Sequence, residues 1–259
     1  MSGQPIDLAD MSTLGVQITS ILSDASSWIE EFELEEKRLE NDPQGSLAYA
    51  LRPNKFSDRR QNVIEHDLMP LIASREIISW HYTRLLPHEI DAFRKHGVRL
   101  SDQNRMEDRL KQAHLLGYLS KAEVDDLQSS SPLHDATQVR ARSGRFWLVT
   151  SRLPASHPGV KLLVSHWGGE VVYFWQRDAR LRAKLQSLGS PAVVEAVVPI
   201  ANTKHTYSVA ERIFNSLSKN LQHSNHIDIY TMENLPASAV LRIIGKDDPE
   251  FFPAMGGLE

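Results

Sequence analysis

Cysteine is absent from this chain of 259 residues, which excludes disulfide bonds, thiolate zinc sites and cysteine nucleophiles. No apolar run approaches the roughly 18 to 20 residues that a membrane-spanning helix needs, so we expect no membrane span. The N-terminus lacks the basic flank and apolar core of a secretory signal. The 29 basic and 33 acidic residues give a formal charge of −4, which argues against nucleic-acid binding by the surface as a whole. Together these absences predict a cytoplasmic protein.

Common catalytic and cofactor motifs are also missing. The sequence contains no GxGxxG, GxxxxGK[ST], GxSxG or HExxH, which weakens assignment to the commonest dinucleotide-binding, P-loop, hydrolase and zinc-protease classes. Three groups of possible metal ligands remain, but each lacks further ligands or lies in a polar loop where surface histidines are common. They are His66 with Asp67, His134 with Asp135, and His223 with His226 and Asp228. We therefore predict no metal site.

The first 75 residues differ in pattern from the rest. Ser27 and Glu30 have the spacing of a capping box, in which a hydroxyl and a carboxylate three residues apart satisfy free amides at a helix start. They predict an acidic helix from Glu30 to Glu40, ended by the turn sequence at residues 42–45. We predict an N-terminal helical accessory region over residues 1–75 and a catalytic domain over residues 76–259.

After residue 75, short runs rich in β-branched and aromatic residues alternate with helical patterns. The runs predict strands at Ile77–Thr83, Val98–Leu100, Phe146–Thr150, Val171–Trp175, Ala192–Val198 and Ile227–Met232. Helices are predicted between Pro87 and Gly97, around Met106–Ala113, and behind capping boxes at Ser120 and Ser208, with a loop over residues 128–143. Irregular spacing between the strands favours an α+β fold over a repeating βαβ array.

The first candidate site is the end of the first predicted strand. His81 and Thr83 alternate there with Tyr82, so the imidazole and the hydroxyl face the same side. A neutral imidazole beside a hydroxyl can hydrogen-bond a ribose or a phosphate, and Arg84 supplies positive charge. The alternative is a core histidine that is satisfied by a neighbouring group.

The second candidate site is the sequence Gly168-Gly169-Glu170, placed before a predicted strand. Paired glycines can adopt positive φ and aim the carboxylate that follows them. Trp167 and Tyr173 would partly desolvate Glu170, which suits acid–base chemistry or the stabilisation of an oxocarbenium ion. The alternative is a helix that ends at Gly168, followed by an exposed Glu170.

The order of these segments resembles the ADP-ribosyltransferases, in the branch that contains poly(ADP-ribose) polymerases and several bacterial toxins. In that branch the first strand carries a His-x-Thr or His-x-Ser motif, which matches His81-Tyr82-Thr83. The segment Gly144–Ser151 is similar to the glycine-led second motif strand, and Ile227–Met232 to the closing strand. The resemblance covers about residues 76 to 245 and leaves the N-terminal region outside.

The resemblance implies a split β-sandwich that binds NAD, as substrate, in an open cleft without a metal. It implies that His81 contacts the nicotinamide ribose, with Thr83 close by, and that Trp147 stands where the family places a stacking aromatic. We add Tyr82, Arg84 and Tyr173 as NAD contacts and prefer Glu170 as the catalytic carboxylate. The other candidate carboxylates are Asp228, Glu233 and Glu195, the last of which is either an edge-strand charge or a buried group retained for function.

These inferences predict an NAD-dependent ADP-ribosyltransferase of the bacterial toxin or defence type. The expected partners are NAD, a macromolecular acceptor that is protein or nucleic acid, and an antitoxin or regulatory partner. Two alternatives remain: a phosphoesterase acting on nucleotide or RNA ends, which would need a second His-x-Thr motif, and a non-enzymatic interaction protein. A nucleic-acid path along the basic residues would lack an aromatic ladder; those residues are Arg52, Lys55, Arg59, Arg60 and Arg84.

Overall fold

The structure is a computed structural model that describes residues 3–42, 52–218 and 226–251. Its helices are α1 (Val16–Glu40), α2 (Ser57–Asn62), α3 (Met69–Ala73), α4 (Pro87–His96), α5 (Gln103–Leu115), α6 (Lys121–Ser129), α7 (Ala136–Arg142), α8 (Pro158–Ser165), α9 (Glu170–Tyr173), α10 (Ala179–Ser187) and α11 (Thr206–Asn215). Its strands are β1 (Glu76–Leu85), β2 (Phe146–Val149), β3 (Ser190–Pro199), β4 (Asp228–Thr231) and β5 (Val240–Gly245). A π-helical segment, Val63–Leu68, joins α2 to α3.

The chain divides into two compact units. The first is formed by residues 1–77 and 199–227, and the second by residues 78–198 and 228–259. The boundary predicted after residue 75 lies two residues from the end of the first segment. Residues 199–227, which the sequence prediction assigns to the catalytic domain, belong to the first unit because α11 packs on the N-terminal helices.

The first unit is helical. Buried side chains recur every three or four residues along α1 from Ile18 to Phe32, as in an amphipathic helix. The ring of Trp28 lies 5.7 Å from that of Phe214 in α11. Arg60 Nη2 in α2 lies 2.7 Å from Glu211 Oε1 in α11, so an ion pair supports the same contact.

The second unit contains a five-stranded sheet with the strand order β4-β2-β1-β3-β5. Strand β2 is antiparallel to both β1 and β4, and β3 is antiparallel to β5. This sheet and the surrounding helices confirm the predicted α+β class. On one face of the sheet, Trp80 and Tyr82 of β1 pack with Leu153, Val160 and apolar residues of the other strands.

A second apolar core of this unit lies among its helices. Met106, Leu110 and Ala113 of α5 recur on one helix face and are all buried, as predicted. They pack in one cluster with Trp167 and Leu185. The Ser120 capping box is also confirmed: Ser120 N donates to Glu123 Oε2 at 2.7 Å, and Glu123 N donates to Ser120 Oγ at 3.3 Å.

Several predicted boundaries are wrong. The predicted capping boxes at Ser27 and Ser208 lie inside α1 and α11; in α1, buried apolar residues from Ile18 onward extend the helix past the local start signal. Residues 128–143, predicted as a loop, contain a 3₁₀ turn and α7, which begins at an Asp135 cap. In place of the predicted strand at residues 98–100, Val98 forms a single bridge to Leu235, and residues 240–245 form a strand that the sequence prediction lacks. The predicted strand Val171–Trp175 is instead the short helix α9 and a turn.

Gly97 ends α4 with a φ of +73° and is followed by Val98, which exchanges two backbone hydrogen bonds with Leu235. A Cβ at Gly97 would lie 2.1 Å from the Leu235 carbonyl oxygen, so only glycine permits this close approach. No helix among the described residues combines the length and apolar character that crossing a membrane requires.

Candidate functional site

A cleft of about 620 Å³ lies in the second unit, within the size range of cofactor and small-molecule sites. Its lining comes from β1, β2, α4, α5, α8 and the turn at residues 168–171, with one or two residues from each of several other segments. Of the site residues predicted from the sequence, five line this cleft: His81, Tyr82, Thr83, Trp147 and Glu170. Arg84 and Tyr173 are not among its lining residues.

His81 is fixed by a hydrogen bond from β1 to β2. Its Nδ1 lies 2.8 Å from the carbonyl oxygen of Trp147. Because a carbonyl oxygen accepts and never donates, Nδ1 carries the proton and Nε2 keeps its lone pair. Burial lowers the pKa of His81 to about 4, and the charge of Arg109 acts in the same direction. The imidazole is therefore neutral at pH 7.

Phe146 and Trp147 lie on opposite faces of β2. The ring of His81 is 4.3 Å from that of Phe146, and Phe93 of α4 packs edge-on against Phe146 at 6.2 Å. Because side chains alternate along a strand, Trp147 points to the other side, where it packs 4.7 Å from Tyr230. The aromatic ring beside His81 is thus Phe146, one residue before the Trp147 that the resemblance favours.

Glu89 of α4 is a buried carboxylate in the cleft wall that accepts three hydrogen bonds. Its Oε1 accepts from Arg109 Nε at 2.6 Å, and its Oε2 accepts from Trp167 Nε1 at 2.7 Å and from Leu86 N at 2.8 Å. Burial favours the protonated acid, but the Arg109 charge and these hydrogen bonds outweigh it and keep the pKa of Glu89 below its ordinary value. Glu89 is thus an ionised group whose oxygens are already occupied.

The same network holds the Gly168-Gly169 turn. Arg109 Nη1 donates to the Gly168 carbonyl oxygen at 3.3 Å, and its guanidinium lies 5.2 Å from the centre of the Trp167 ring. Both glycines have positive φ, +95° and +69°. A Cβ at Gly168 would lie 2.5 Å from Val172 Cβ, so this turn requires glycine there.

Glu170 is the first residue of α9, directly after this turn. Its Oε2 lies 3.1 Å from Arg142 Nη2, and 46% of its side chain is exposed. The desolvation predicted from Trp167 and Tyr173 is therefore weak, because Trp167 points to Glu89 and Tyr173 stacks on His166 at 4.8 Å. Glu170 is an accessible carboxylate in the lining of the cleft, with a neighbouring guanidinium that orients it.

Three of the predicted NAD contacts, Tyr82, Arg84 and Tyr173, interact with other parts of the protein. The Tyr82 hydroxyl accepts a hydrogen bond from Leu153 N at 2.7 Å, and burial raises the pKa of Tyr82 to about 12. Arg84 Nε donates to the Leu188 carbonyl oxygen at 2.5 Å. Tyr173 is buried in the helical core. Arg84 and Tyr173 lie outside the cleft lining, so we do not include them in the site below.

The three other candidate carboxylates are Glu195, Glu233 and Asp228, and they differ in whether they line the cleft. Glu195 lies opposite Arg242 on the neighbouring strand and accepts two hydrogen bonds from it, at 2.7 and 3.0 Å. Glu233 is exposed and lies outside the cleft lining, as does Glu195. Asp228, at the start of β4, lines the cleft and is exposed. Glu170 and Asp228 are thus the two predicted carboxylates that the structure places beside the cleft.

Five arginines line the cleft: Arg99, Arg105, Arg109, Arg142 and Arg145. Arg109 and Arg142 pair with Glu89 and Glu170. Burial lowers the pKa of Arg105; the charges of Arg109 and Arg99 add to this effect, and those of Glu89 and Asp102 oppose it without cancelling it. A partly buried arginine beside two others favours an anionic ligand, since a phosphate group would accept hydrogen bonds from the guanidiniums and offset their charge.

Within the described ranges, no three His, Asp or Glu side chains come together in a way that could hold a metal ion. His223, which is part of one candidate metal cluster, lies outside those ranges.

Sequence reasoning missed Glu89, Arg109 and Phe146 as site residues. A signal for Glu89 is present, because Glu89 and Phe93 share the buried face of α4, where an acid needs a partner. The partner, Arg109, comes from a separate helix, and local spacing cannot identify it.

No protein-family model, no curated protein and no solved structure matches this chain.

Proposed function

We propose that the protein is an NAD-dependent ADP-ribosyltransferase. The observation that carries the proposal is that a neutral His81, with Nε2 available as an acceptor, and the carboxylate of Glu170 line the same cleft. The strand order adds support. The three segments that resemble the family's motif strands are β1, β2 and β4, which are neighbours in the sheet. The family's split β-sandwich is part of this proposal.

His81 would orient the ribose of NAD. Its Nε2 can accept a hydrogen bond from a ribose hydroxyl, while the bond from Nδ1 to the Trp147 carbonyl oxygen prevents rotation of the ring. Thr83 lies on the same side of β1, and Phe146 offers an apolar ring beside His81. Phe146 therefore replaces Trp147 as the aromatic that we assign to the nicotinamide.

Glu170 would stabilise the developing charge on the ribose. As the bond to nicotinamide breaks, the electron pair leaves with nicotinamide and positive charge grows on the ribose carbon. A fixed carboxylate lowers the energy of that transition state more than the energy of the ground state. The Gly168-Gly169 turn, tied to Arg109, holds Glu170 at the cleft. The diphosphate of NAD would bind Arg105, which is partly buried in the cleft wall.

The phosphoesterase alternative has less support. Two further histidines, His88 and His157, line the cleft. His88 lies in the first turn of α4 and His157 directly precedes α8, so neither repeats the His-x-Thr motif on a strand. Among the described residues, the paired arrangement that this enzyme class needs is not formed.

The decisive experiment is NAD cleavage by the purified protein, measured as nicotinamide release with a cell lysate as the source of acceptors. We expect His81→Asn to lose activity, since the asparagine amide can still donate to Trp147 but has no group equivalent to Nε2. Glu170→Gln should lose about 100-fold or more in turnover. Wild-type protein that neither binds nor cleaves NAD under these conditions would support a non-enzymatic interaction protein instead.

A matched control tests whether the carboxylate is assigned correctly. Asp228→Asn changes the other predicted carboxylate in the cleft lining and should reduce turnover far less than Glu170→Gln. If Asp228→Asn is inactive and Glu170→Gln is active, the catalytic carboxylate is Asp228.

We also propose, from the resemblance alone, a role in bacterial toxicity or defence with an antitoxin or regulatory partner. Co-purification from the native host tests for that partner.

A further inference from the structure

Beside the cleft lies a group of aromatic and cationic side chains that the proposed NAD contacts do not use. Trp147 is 41% exposed, although it belongs to a strand inside the sheet order. Its ring packs edge-on against Tyr230 of β4, and the Arg145 guanidinium lies 4.3 Å from the centre of the Tyr230 ring. Arg145 also lies 5.9 Å from the Trp147 ring. We call Trp147, Tyr230 and Arg145 the aromatic platform.

Backbone hydrogen bonds join the segment that carries a second cation, Arg99, to the start of β2. Ser101 N donates to the Arg145 carbonyl oxygen at 3.1 Å, and Gly144 N donates to the Ser101 carbonyl oxygen at 2.7 Å. Arg99 lies two residues before Ser101, and Leu100 N donates to Asn234 Oδ1 at 2.9 Å. The segment that carries Arg99 is thus fixed on both sides, and both Arg99 and Arg145 line the cleft.

These two cations differ from Arg109 and Arg142 in their partners: Arg145 Nη1 donates to the Ala141 carbonyl oxygen at 3.3 Å. Considering only residues that the structure describes, no carboxylate oxygen lies within 4 Å of the Arg99 or Arg145 guanidinium, whereas Arg109 and Arg142 each have one. A planar exposed ring beside arginines that lack acidic partners is the combination by which proteins bind single-stranded nucleic acids. Bases stack on the ring, and phosphates pair with the guanidiniums.

We propose that the macromolecular acceptor is a single-stranded nucleic acid that binds with one base on Trp147 and its phosphates on Arg145 and Arg99. The ring can stack only on a base that is not already stacked and paired within a duplex, which selects single strands. The binding stands on these contacts alone, whereas the transfer to the strand rests on the proposed function. In that transfer, a nitrogen or oxygen of the acceptor forms a bond to the ribose carbon as nicotinamide leaves with its electron pair, and the acceptor's proton passes to solvent.

This path differs from the basic segment that the sequence offered. In the first unit, Arg60 pairs with Glu211, while Arg59 and Lys55 lie over the rings of Trp28 and Phe56 at 4.7 and 4.8 Å. Lys55 and Arg59 therefore cover the two aromatic rings on which a nucleic-acid base would otherwise stack. At the platform, by contrast, the Trp147 ring keeps an exposed surface.

The test is equilibrium binding of fluorescein-labelled oligonucleotides to the full-length protein, without NAD, measured by fluorescence anisotropy. The probes are a single-stranded DNA and RNA of about 12 nucleotides, a length within known site sizes, and the matching DNA duplex. We expect both single strands to bind more tightly than the duplex. Trp147→Ala should weaken binding about 5- to 150-fold, and Arg145→Ala should reduce the slope of log affinity against log salt by about 0.7.

The matched controls are Trp175→Ala and Arg177→Ala. Trp175 is 40% exposed, almost as much as Trp147, and Arg177 is also exposed, but neither lines the cleft. These variants should bind as the wild type does. Equal loss in Trp175→Ala, or no binding of any oligonucleotide while labelled NAD modifies proteins in a lysate, overturns the proposal in favour of a protein acceptor. Because binding is measured without NAD, an inactive but oligonucleotide-binding protein would separate this proposal from the proposed function.

Discussion

The Nδ1 proton of His81 is held by the carbonyl oxygen of Trp147 at a distance of 2.8 Å. One residue earlier in β1, Trp80 is in register with Val149 of β2. The His81 side chain therefore links β1 to β2 where both strands line the cleft. This link fixes the orientation of the imidazole, whereas burial, and not the hydrogen bond, keeps the imidazole neutral.

The first prediction concerns the dependence of stability on pH. The pKa of His81 is about 4 in the folded protein and ordinarily 6.5. As the pH falls below 6.5, His81 becomes protonated in the unfolded chain, whereas in the folded chain it stays neutral down to about pH 4. The free energy of unfolding therefore decreases between pH 6.5 and pH 4. Between pH 7.5 and pH 5, wild type should lose up to about 2 kcal/mol more than His81→Asn. Urea unfolding of both proteins at the two pH values measures the difference, and equal losses would contradict the burial of this imidazole.

The second prediction concerns the network around Glu89. Glu89→Gln leaves Arg109 without its buried counter-charge and should cost about 3 kcal/mol of unfolding free energy. Trp167→Phe removes one donor to Glu89 and should cost about 1 to 2 kcal/mol. The double variant should lose less than the sum of the two, because both changes disturb one network. Trp175→Phe, at an exposed tryptophan, is the control and should change stability by less than about 0.5 kcal/mol.

The third prediction compares two glycines at helix ends. Gly97→Ala should cost more than about 3 kcal/mol, because its Cβ meets the backbone of residues 235 and 236 and its φ of +73° strains any other residue. Gly117 has a similar φ of +78° but open space around it, so Gly117→Ala should cost only about 1 kcal/mol. Thermal unfolding of the two variants separates the steric contribution from the conformational one. Similar midpoints would mean that residues 97 and 235 do not approach so closely.

The fourth prediction distinguishes two predicted carboxylates. Glu195 pairs with Arg242 across β3 and β5, and this hydrogen bond raises the pKa of Arg242. Glu195→Gln should therefore cost about 1 kcal/mol of stability and leave NAD cleavage within about twofold of wild type. Nicotinamide release and urea unfolding, measured on the same preparation, check both parts. A large loss of turnover in a stable Glu195→Gln protein would return this residue to the candidate site.

The sequence predicted the elements whose patterns are local. Strand β1 was found from its β-branched and aromatic residues, and α5 from the spacing of Met106, Leu110 and Ala113. Val171 and Val172 favour extended structure and so predict a strand after Gly169, yet these residues form α9, where Val172 packs into the helical core. Tertiary packing overrides β propensity in so short a segment.

Only part of the candidate site can be predicted from the sequence, because a local pattern identifies single residues and not the contacts between distant segments. His81 and Glu170 carry local signals, a motif on a strand and a glycine pair, and both line the cleft. The Glu89–Arg109 pair joins helices twenty residues apart in the sequence, and the choice between Phe146 and Trp147 depends on which face of β2 meets β1. Neither relationship has a counterpart in the spacing of one segment.

The division of the first unit into residues 1–77 and 199–227 has a consequence for synthesis on the ribosome. The N-terminal helices emerge first, but α11, which supplies Phe214 to the core around Trp28, is made only after the sheet strands β1, β2 and β3. Until then the apolar stripe of α1 lacks part of its covering, so the nascent chain exposes a surface that chaperones recognise. The first unit is therefore completed only when residues 199–227 have been made, shortly before β4 and β5 complete the sheet of the second.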